Sequence, residues 1–492
     1  MSRTSEDAAA GGQLSEHHGK VVMLSVAAAV GGFLFGFDSS VINGAVDAVQ
    51  GQFKLSSTIT GLVVAVALLG CAVGAWYAGR WADRLGRTRV MLIGAILFFA
   101  SSLGAGLAFS VWDLAFWRVV GGLGIGIASV IAPAYIAEIA PAAMRGRLGS
   151  LQQMAITFGI FVALLSDAFW ANTAGGADQD ILGLAAWRWM FLIGVVPSVV
   201  YGVLAISIPE SPRYLVAKGE LRQAADVLRR FVGMAPPADQ RKAEEIQDTL
   251  DREHTPSMRD LRGPALGLRP IVWVGILLSA FQQLVGINVI FYYSTTLWQS
   301  VGFKESSSFI ISVATSVTNM AVTVVAILLV DRIGRRLLLL CGSAGMFVSL
   351  GAMAIAFTQA TLVPGADGKQ TPQLSHGWGQ VALVGANLFV VSFGATWGPV
   401  VWVLLGEMFP NRIRGAALSV AAAAQWVTNF LITTTFPPLA SIGLSFAYGL
   451  YTLFALLSFF FVLWKVQETK GVELEAMTGD VGHRRQAAAQ RA

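Results

Sequence analysis

Hydrophobic residues along this chain gather in long runs separated by clusters of charge. Val90 to Trp112 contains no charged residue, and neither does Gly415 to Trp464. A bilayer span needs roughly 20 mostly apolar residues. The first run is therefore one span and the second is two, with Pro437 and Pro438 marking the expected turn. Reading every apolar run against the charges predicts spans near 21–43, 59–79, 90–111, 114–137, 148–169, 188–208, 270–297, 307–330, 337–359, 379–405, 415–435 and 444–464. These are twelve helices, six on either side of a hydrophilic segment from Pro209 to Arg269. Within that segment ELRQAADVLRRFVG and RKAEEIQDTLDREH read as short amphipathic helices, either a solvated linker or part of a gate. The expected architecture is an all-α membrane protein. It comprises a tail (1–20), a six-helix bundle (21–208), an intracellular helical linker (209–269), a second six-helix bundle (270–464) and a tail (465–492).

Composition agrees with a bilayer protein. The 492 residues are 55% hydrophobic and only 13% charged, outside the range of a soluble domain. In a soluble chain the net charge of +5 would suggest nucleic acid. Here the basic residues sit between spans, a topology signal explains them, and no nucleic-acid partner is expected. With both termini cytosolic, the inside loops hold Arg80, Arg84, Arg87, Arg89, Arg145, Arg147, Arg332, Arg335, Arg336, Arg412 and Arg414. The outside loops hold only Lys54, Arg188, Lys304 and Lys369. The polar first twenty residues are expected as a retained, disordered tail, because the apolar stretch after them is too long for a signal peptide. Cys71 and Cys341 fall in apolar runs and imply no disulfide framework. Abundant Ala, Gly and Arg, with no N-x-S/T sequon, point to a bacterial plasma membrane.

The two halves repeat one another. DRLGR at Asp83–Arg87 recurs as DRIGR at Asp331–Arg335, each after the second span of its half. EIAPAAMRG from Glu138 recurs as EMFPNRIRG from Glu407, each after the fourth. Parallel six-span repeats with a midplane site between them are a common transporter plan. Polar residues inside the spans fit such a site. The seventh has Gln282, Gln283, Asn288, Tyr292 and Tyr293, with Gly286 expected to loosen the helix and gather them. The eighth carries a stripe of Ser308, Ser312, Thr315, Ser316, Asn319 and Thr323. Gln425 and Asn429 in the eleventh span are four apart, as are Gln153 and Thr157 in the fifth. For the Ser and Thr residues, fastening of neighbouring helices is the favoured reading. Pro399 in ATWGPVVWVLLGE removes a backbone hydrogen bond and predicts a kink in a mobile tenth span.

These motifs, with PESPRYL at Pro209, FQQLVGINVIFYY at Phe281 and QETKG at Gln467, resemble the sugar porter family of the major facilitator superfamily, over roughly Val21 to Gly471. The last motif departs from the family's pattern in beginning with Gln467 rather than Pro. The resemblance implies the major facilitator fold and a monosaccharide substrate. Within the family the chain is similar to bacterial proton-coupled symporters, which carry an acid at the position of Asp38 in GFLFGFDSSVING. Arg118 matches the family's partner arginine. A charge within the bilayer costs a few kcal/mol, so the two are expected to face a cavity or each other, as a fixed ion pair or, the favoured reading, as the proton-coupling site. Burial favours the neutral acid and Arg118 the carboxylate, so a modest rearrangement would switch Asp38.

The family's sugar-binding positions resemble Gln153, Gln282, Gln283, Asn288, Asn319, Trp397 and Gln425, with Trp397 offering its ring to the sugar face; Phe35 and Tyr292 read either as outer walls or as simple packing. Ile160 stands where xylose symporters of the family have a glutamine and resembles the glucose transporters, which leans the substrate toward glucose. The resemblance also implies a cytosolic gate of ion pairs built from Asp83, Arg87, Glu138, Arg145, Glu210, Arg213, Asp331, Arg335, Glu407 and Arg414. The expected function is proton-coupled monosaccharide import by alternating access, working as a monomer. An uncoupled sugar or polyol uniporter is the alternative. A nutrient sensor, expected to carry a long signalling tail, is a more distant one. No phosphate loop or metal-ligand cluster is present in the sequence, so an enzyme, a metal site and a cofactor are not expected.

Overall fold

The structure is a computed structural model that describes residues 3–141, 145–252, 258–364, 370–410 and 413–469. The side chains of Arg145, Asp331 and Arg414 lie outside the described residues, as does the C-terminal tail beyond Thr469. Twelve helices among the described residues are long and apolar enough to cross a membrane: Gly19–Phe53, Ser57–Leu85, Arg87–Gly106, Val111–Ile139, Leu148–Ala174, Ala186–Ser207, Pro270–Tyr292, Glu305–Ala326, Arg335–Thr358, Gly377–Met408, Ala416–Ile442 and Leu444–Lys465. Each expected span has its helix, and they are numbered here in that order. Between the sixth and seventh, Leu221–Val227 and Ala238–Arg252 form the two expected linker helices, and Pro212–Ala217 adds a third that was not expected. They pack on a small apolar cluster of their own, with Leu215, Val216, Ala224, Leu228 and Ala243 buried.

Two expectations are corrected. The first helix begins at Arg3 rather than after a disordered tail. Pro437 and Pro438 lie inside the eleventh helix, which runs from Arg414 to Ile442 and turns at Gly443. A proline leaves the carbonyl four residues earlier without its helical partner. For Pro437 that carbonyl is Thr433 O, and the Tyr293 hydroxyl donates to it at 2.9 Å, so that acceptor is not orphaned as the helix continues.

The chain packs as two compact units, one of Met1–Ser39, Gly70–Ile160 and Phe191–His254, the other of Ser40–Leu69, Phe161–Met190 and Thr255–Ala492. In the first, the third span packs on the fourth and the sixth; in the second, the ninth packs on the tenth and the twelfth. The same pairing six spans later is the duplication seen in three dimensions. Small residues let backbones approach, as expected for helices in lipid, where close van der Waals packing replaces the hydrophobic drive. A Cβ at Gly36 of the first span would overlap the Ile156 carbonyl oxygen of the fifth.

Gly36→Ala should therefore lower the melting stability of the detergent-solubilised protein by about 1–3 kcal/mol through overpacking. Gly79→Ala, where an added Cβ meets nothing within 4 Å, should be neutral or stabilising by up to about 1 kcal/mol from helix propensity. Equal melting curves for the two variants would refute this account of the contact between the first and fifth spans.

Candidate functional site

The intramembrane charges meet. The Arg118 Nη1 donates to Asp38 Oδ2 at 3.0 Å and to the Asp38 backbone carbonyl at 3.2 Å. Asp38 is 5% exposed and Arg118 2%. The guanidinium also stands over the Phe191 ring, 5.9 Å from its centroid. The pair is single-stranded: one guanidinium nitrogen makes both contacts, and the buried Arg118 Nε has no hydrogen-bond partner. This is a weaker clasp than the two parallel bonds an arginine can offer a carboxylate. Phe35, Gln153 and Ile160 lie in the same compact unit and are each half-buried.

The second unit gathers the other polar candidates. The seventh span is broken as Gly286 predicts. It runs as Pro270–Leu284, Ile287–Tyr292 and Ser294–Gln299, and Gly286 adopts φ 80°, a conformation that costs other residues more than glycine. At the break, Asn288 Nδ2 donates to Gln283 Oε1 at 2.6 Å and Gln283 Nε2 reaches Gln282 Oε1 at 3.5 Å. Gln282 Nε2 in turn donates to the carbonyls of Trp397 and Gly398, at 2.9 and 3.2 Å. Those carbonyls sit where the tenth span is irregular, with a wide π-type turn over Phe393–Trp397 just before Pro399.

The result is a continuous amide chain from the seventh span to the tenth. Trp397 itself is fully buried, and its indole N–H is held by Leu339 O at 3.0 Å and Ser343 Oγ at 3.1 Å of the ninth span. Tyr292 and Asn319 are buried, and the half-buried Gln425 turns an oxygen with no hydrogen-bond partner into its surroundings. Neutral amides that each donate and accept, with an unfilled acceptor among them, suit a ligand bearing hydroxyl groups.

Beyond the amide chain, Ser294–Gln299 is joined to the last turns of the first span. Thr295 N–H donates to Asn43 Oδ1 at 3.0 Å and the Thr295 hydroxyl to the Asn43 carbonyl at 2.7 Å. Asp47 accepts from the Thr296 hydroxyl at 2.9 Å and from Gln299 Nε2 at 3.2 Å. Nothing in the sequence pattern singled out Asn43 or Asp47, because their partners lie some 250 residues away.

The charged motifs form two clusters of matching design. In the first unit Arg87 makes two bonds to Glu138, Nε to Oε2 at 3.0 Å and Nη2 to Oε1 at 2.9 Å, with Asp83 at 3.2 Å from Nη2. Glu210 accepts from the backbone amides of Arg87 and Thr88 at the start of the third span, and the Ser211 hydroxyl donates to Glu138. In the second unit Arg335 binds Glu407 in the same two-fold way, at 3.1 and 2.9 Å. Glu468 accepts from the amides of Arg335 and Arg336, both at 3.0 Å, and the Thr469 hydroxyl donates to Glu407 at 2.6 Å. Glu468 and Thr469 thus repeat Glu210 and Ser211, although the QETKG motif lacks the proline of PESPRYL. The arginine that Glu138 and Glu407 bind is that of the D-R-x-G-R motif. The side chains of Arg145 and Arg414, expected near those acids, lie outside the described residues.

The family profile described as Sugar (and other) transporter matches residues 24–480. This chain belongs to that sugar transporter family. Among its relatives, a glucose transport protein of Synechocystis sp. is 56% identical over 460 residues, covering 93% of this chain and 97% of that one. The D-xylose-proton symporter of Escherichia coli K12 is 35% identical over 502 residues, covering 93% and 95%. The inward-open structure of the xylose transporter XylE from E. coli matches with a TM-score of 0.77 at 33% identity, over 93% of this chain and 99% of that one. The protein is therefore a multi-pass membrane transporter of the major facilitator type and not an enzyme.

A carboxylate at a helix N-terminus is worth about 0.3–1 kcal/mol, and up to about 2 kcal/mol when partly buried. Glu468→Ala should consequently lower the melting temperature of this transporter as Glu210→Ala does, while Glu244→Ala, exposed in the middle of the linker helix Ala238–Arg252, leaves it unchanged. A destabilised Glu210→Ala beside an unaffected Glu468→Ala would remove the equivalence of the two clusters.

Proposed function

We propose that this protein imports a monosaccharide, glucose foremost, together with a proton, by alternating access between outward- and inward-facing states. The observation that carries the reading is the Asp38–Arg118 pair: an acid and a base inside the membrane, nearly sealed from solvent and joined through one nitrogen. A pair meant only to fasten two helices gains from two parallel bonds; a pair meant to open needs only to be satisfied while closed. Protonation of Asp38 from outside removes its charge and releases Arg118, and the protonated, sugar-loaded carrier rocks inward. Loss of the proton inside resets the pair. Coupling follows when proton and sugar favour the same transition, since a ligand shifts an equilibrium only by its differential affinity for the two states.

The sugar-binding residues of this proposal are Gln153, Ile160, Phe35, Gln282, Gln283, Asn288, Tyr292, Asn319, Trp397 and Gln425. The amide chain from Asn288 to Gln282 presents its donors and acceptors to the hydroxyls, and Trp397 lies at the hinge of the tenth span. Glucose is favoured by the relative named as a glucose transport protein and by Ile160. The Arg87–Glu138 and Arg335–Glu407 clusters are the cytosolic gate elements. Both termini lie on the cytosolic side of a bacterial plasma membrane, as the arginine asymmetry of the loops suggests, and the working unit is a monomer.

In proteoliposomes, an inward proton gradient should drive accumulation of labelled glucose by the native protein, whereas Asp38→Asn should only equilibrate or exchange the sugar. Native protein that equilibrates glucose and ignores the gradient would make this an uncoupled uniporter, with Asp38 a structural partner of Arg118.

A further inference from the structure

Asp167 in the fifth span is an acid that neither the Asp38–Arg118 pair nor the amide chain employs. It is fully buried. Its Oδ2 accepts one hydrogen bond, from the backbone N–H of Gly44 in the first span at 3.2 Å, and its buried Oδ1 has no hydrogen-bond partner. The charged groups on the neighbouring elements are turned elsewhere. Asp47 of the first span accepts from Thr296 and Gln299, Arg188 of the sixth lies over the Trp187 ring, and Glu305 of the eighth accepts from the Ala177 amide. The fit around Asp167 is close: a Cβ at Gly44 would come 2.7 Å from the Asp167 Cβ and 2.8 Å from its Cγ and from the Met190 Sδ.

We propose that Asp167 is a proton-binding site whose occupation locks the outer seal of the transporter. A sealed carboxylate with a single N–H donor and no cation carries an uncompensated charge. Adding a proton removes the charge, and the remaining carbonyl oxygen still accepts the Gly44 N–H. A metal ion does not fit, since it needs several oxygen ligands and the backbone group facing Asp167 is a donor. In water the balance reverses: an ordinary carboxyl group at neutral pH favours ionisation by about a thousandfold.

Asp167 follows Ile160 by seven residues and Gln153 by fourteen, which on one helix is a common face, about 10 Å beyond Ile160 toward the outer end. Placing that face on the sugar pathway rests on the proposed function, and it means that opening the outer end wets Asp167. The proton is taken from external water on closure and returned to it on opening, so it adds nothing to the transported stoichiometry. Instead it links external acidity to closure, with the sealed-to-open ratio rising about tenfold for each unit of acidification between the two protonation limits of the site.

The test reads the seal without sugar. Spin labels at Lys54→Cys and Lys304→Cys, both exposed, in a Cys341→Ser background in lipid nanodiscs report the outer distance across a pH series. The native protein and Asp38→Asn should close as the pH falls, and Asp167→Asn should be closed and insensitive to pH. Infrared spectra of the same samples should show a protonated carboxyl band that Asp167→Asn loses and Asp167→Glu displaces. Unchanged pH dependence in Asp167→Asn, opening rather than closing with acid, or no band assignable to Asp167 would each overturn the proposal. Should Asp167→Asn not insert, the position of the band in Asp167→Glu decides alone. A failure of proton-driven glucose accumulation would remove the symport reading and leave this result standing.

Discussion

Inside the hydrocarbon core of a bilayer, no water replaces a missing partner, so a charge or a freed backbone carbonyl must be satisfied by the protein. The irregular parts of this transporter follow from that constraint. Pro437 frees the Thr433 carbonyl and Tyr293 takes it. Beside Pro399, Gln282 donates to the carbonyls of Trp397 and Gly398. Asp38 and Arg118 cancel one another. Each solution ties one span to another through a specific side chain, so the places where the helices depart from regularity are also where the spans are coupled. A helix that bends without an orphaned group can move at low cost, as alternating access requires.

The same economy appears at the cytosolic ends of the proposed topology. Two arginines, each at the start of a helix, bind a glutamate from the span that follows, while a second glutamate caps the amides of that helix. The charges are shared among helix dipole, guanidinium and hydroxyl, which makes each cluster a compact unit of its half rather than a string of isolated surface pairs of little value. That the second cluster forms through Glu468 and Thr469, despite the loss of the proline found before Glu210, identifies the carboxylate and the hydroxyl as the working parts of the motif.

Much of the fold was legible along the chain, because span number and position depend on local apolar length, and each of the twelve expected runs has its helix. Gly286 was legible for the same local reason: it interrupts a helix wherever the neighbours gain from a break. The proline pair was misread, since whether a proline ends a helix or is absorbed depends on what stands beside the freed carbonyl, here a tyrosine from another span. The burial of Trp397 against Leu339 and Ser343, and the contacts of Asn43 and Asp47, were likewise invisible to spacing and periodicity.

By itself the sequence determined the membrane setting, the twelve spans, the duplicated halves and the residue types available for chemistry, all of which follow from hydropathy, repeated motifs and the cost of placing charge in lipid. Only the tertiary structure decided the pairings. Asp38 meets Arg118, Glu138 takes Arg87, and Asp167 is left with one amide and no cation, because partners separated by many tens of residues are chosen by helix packing and backbone approach, and neither is encoded in any local pattern.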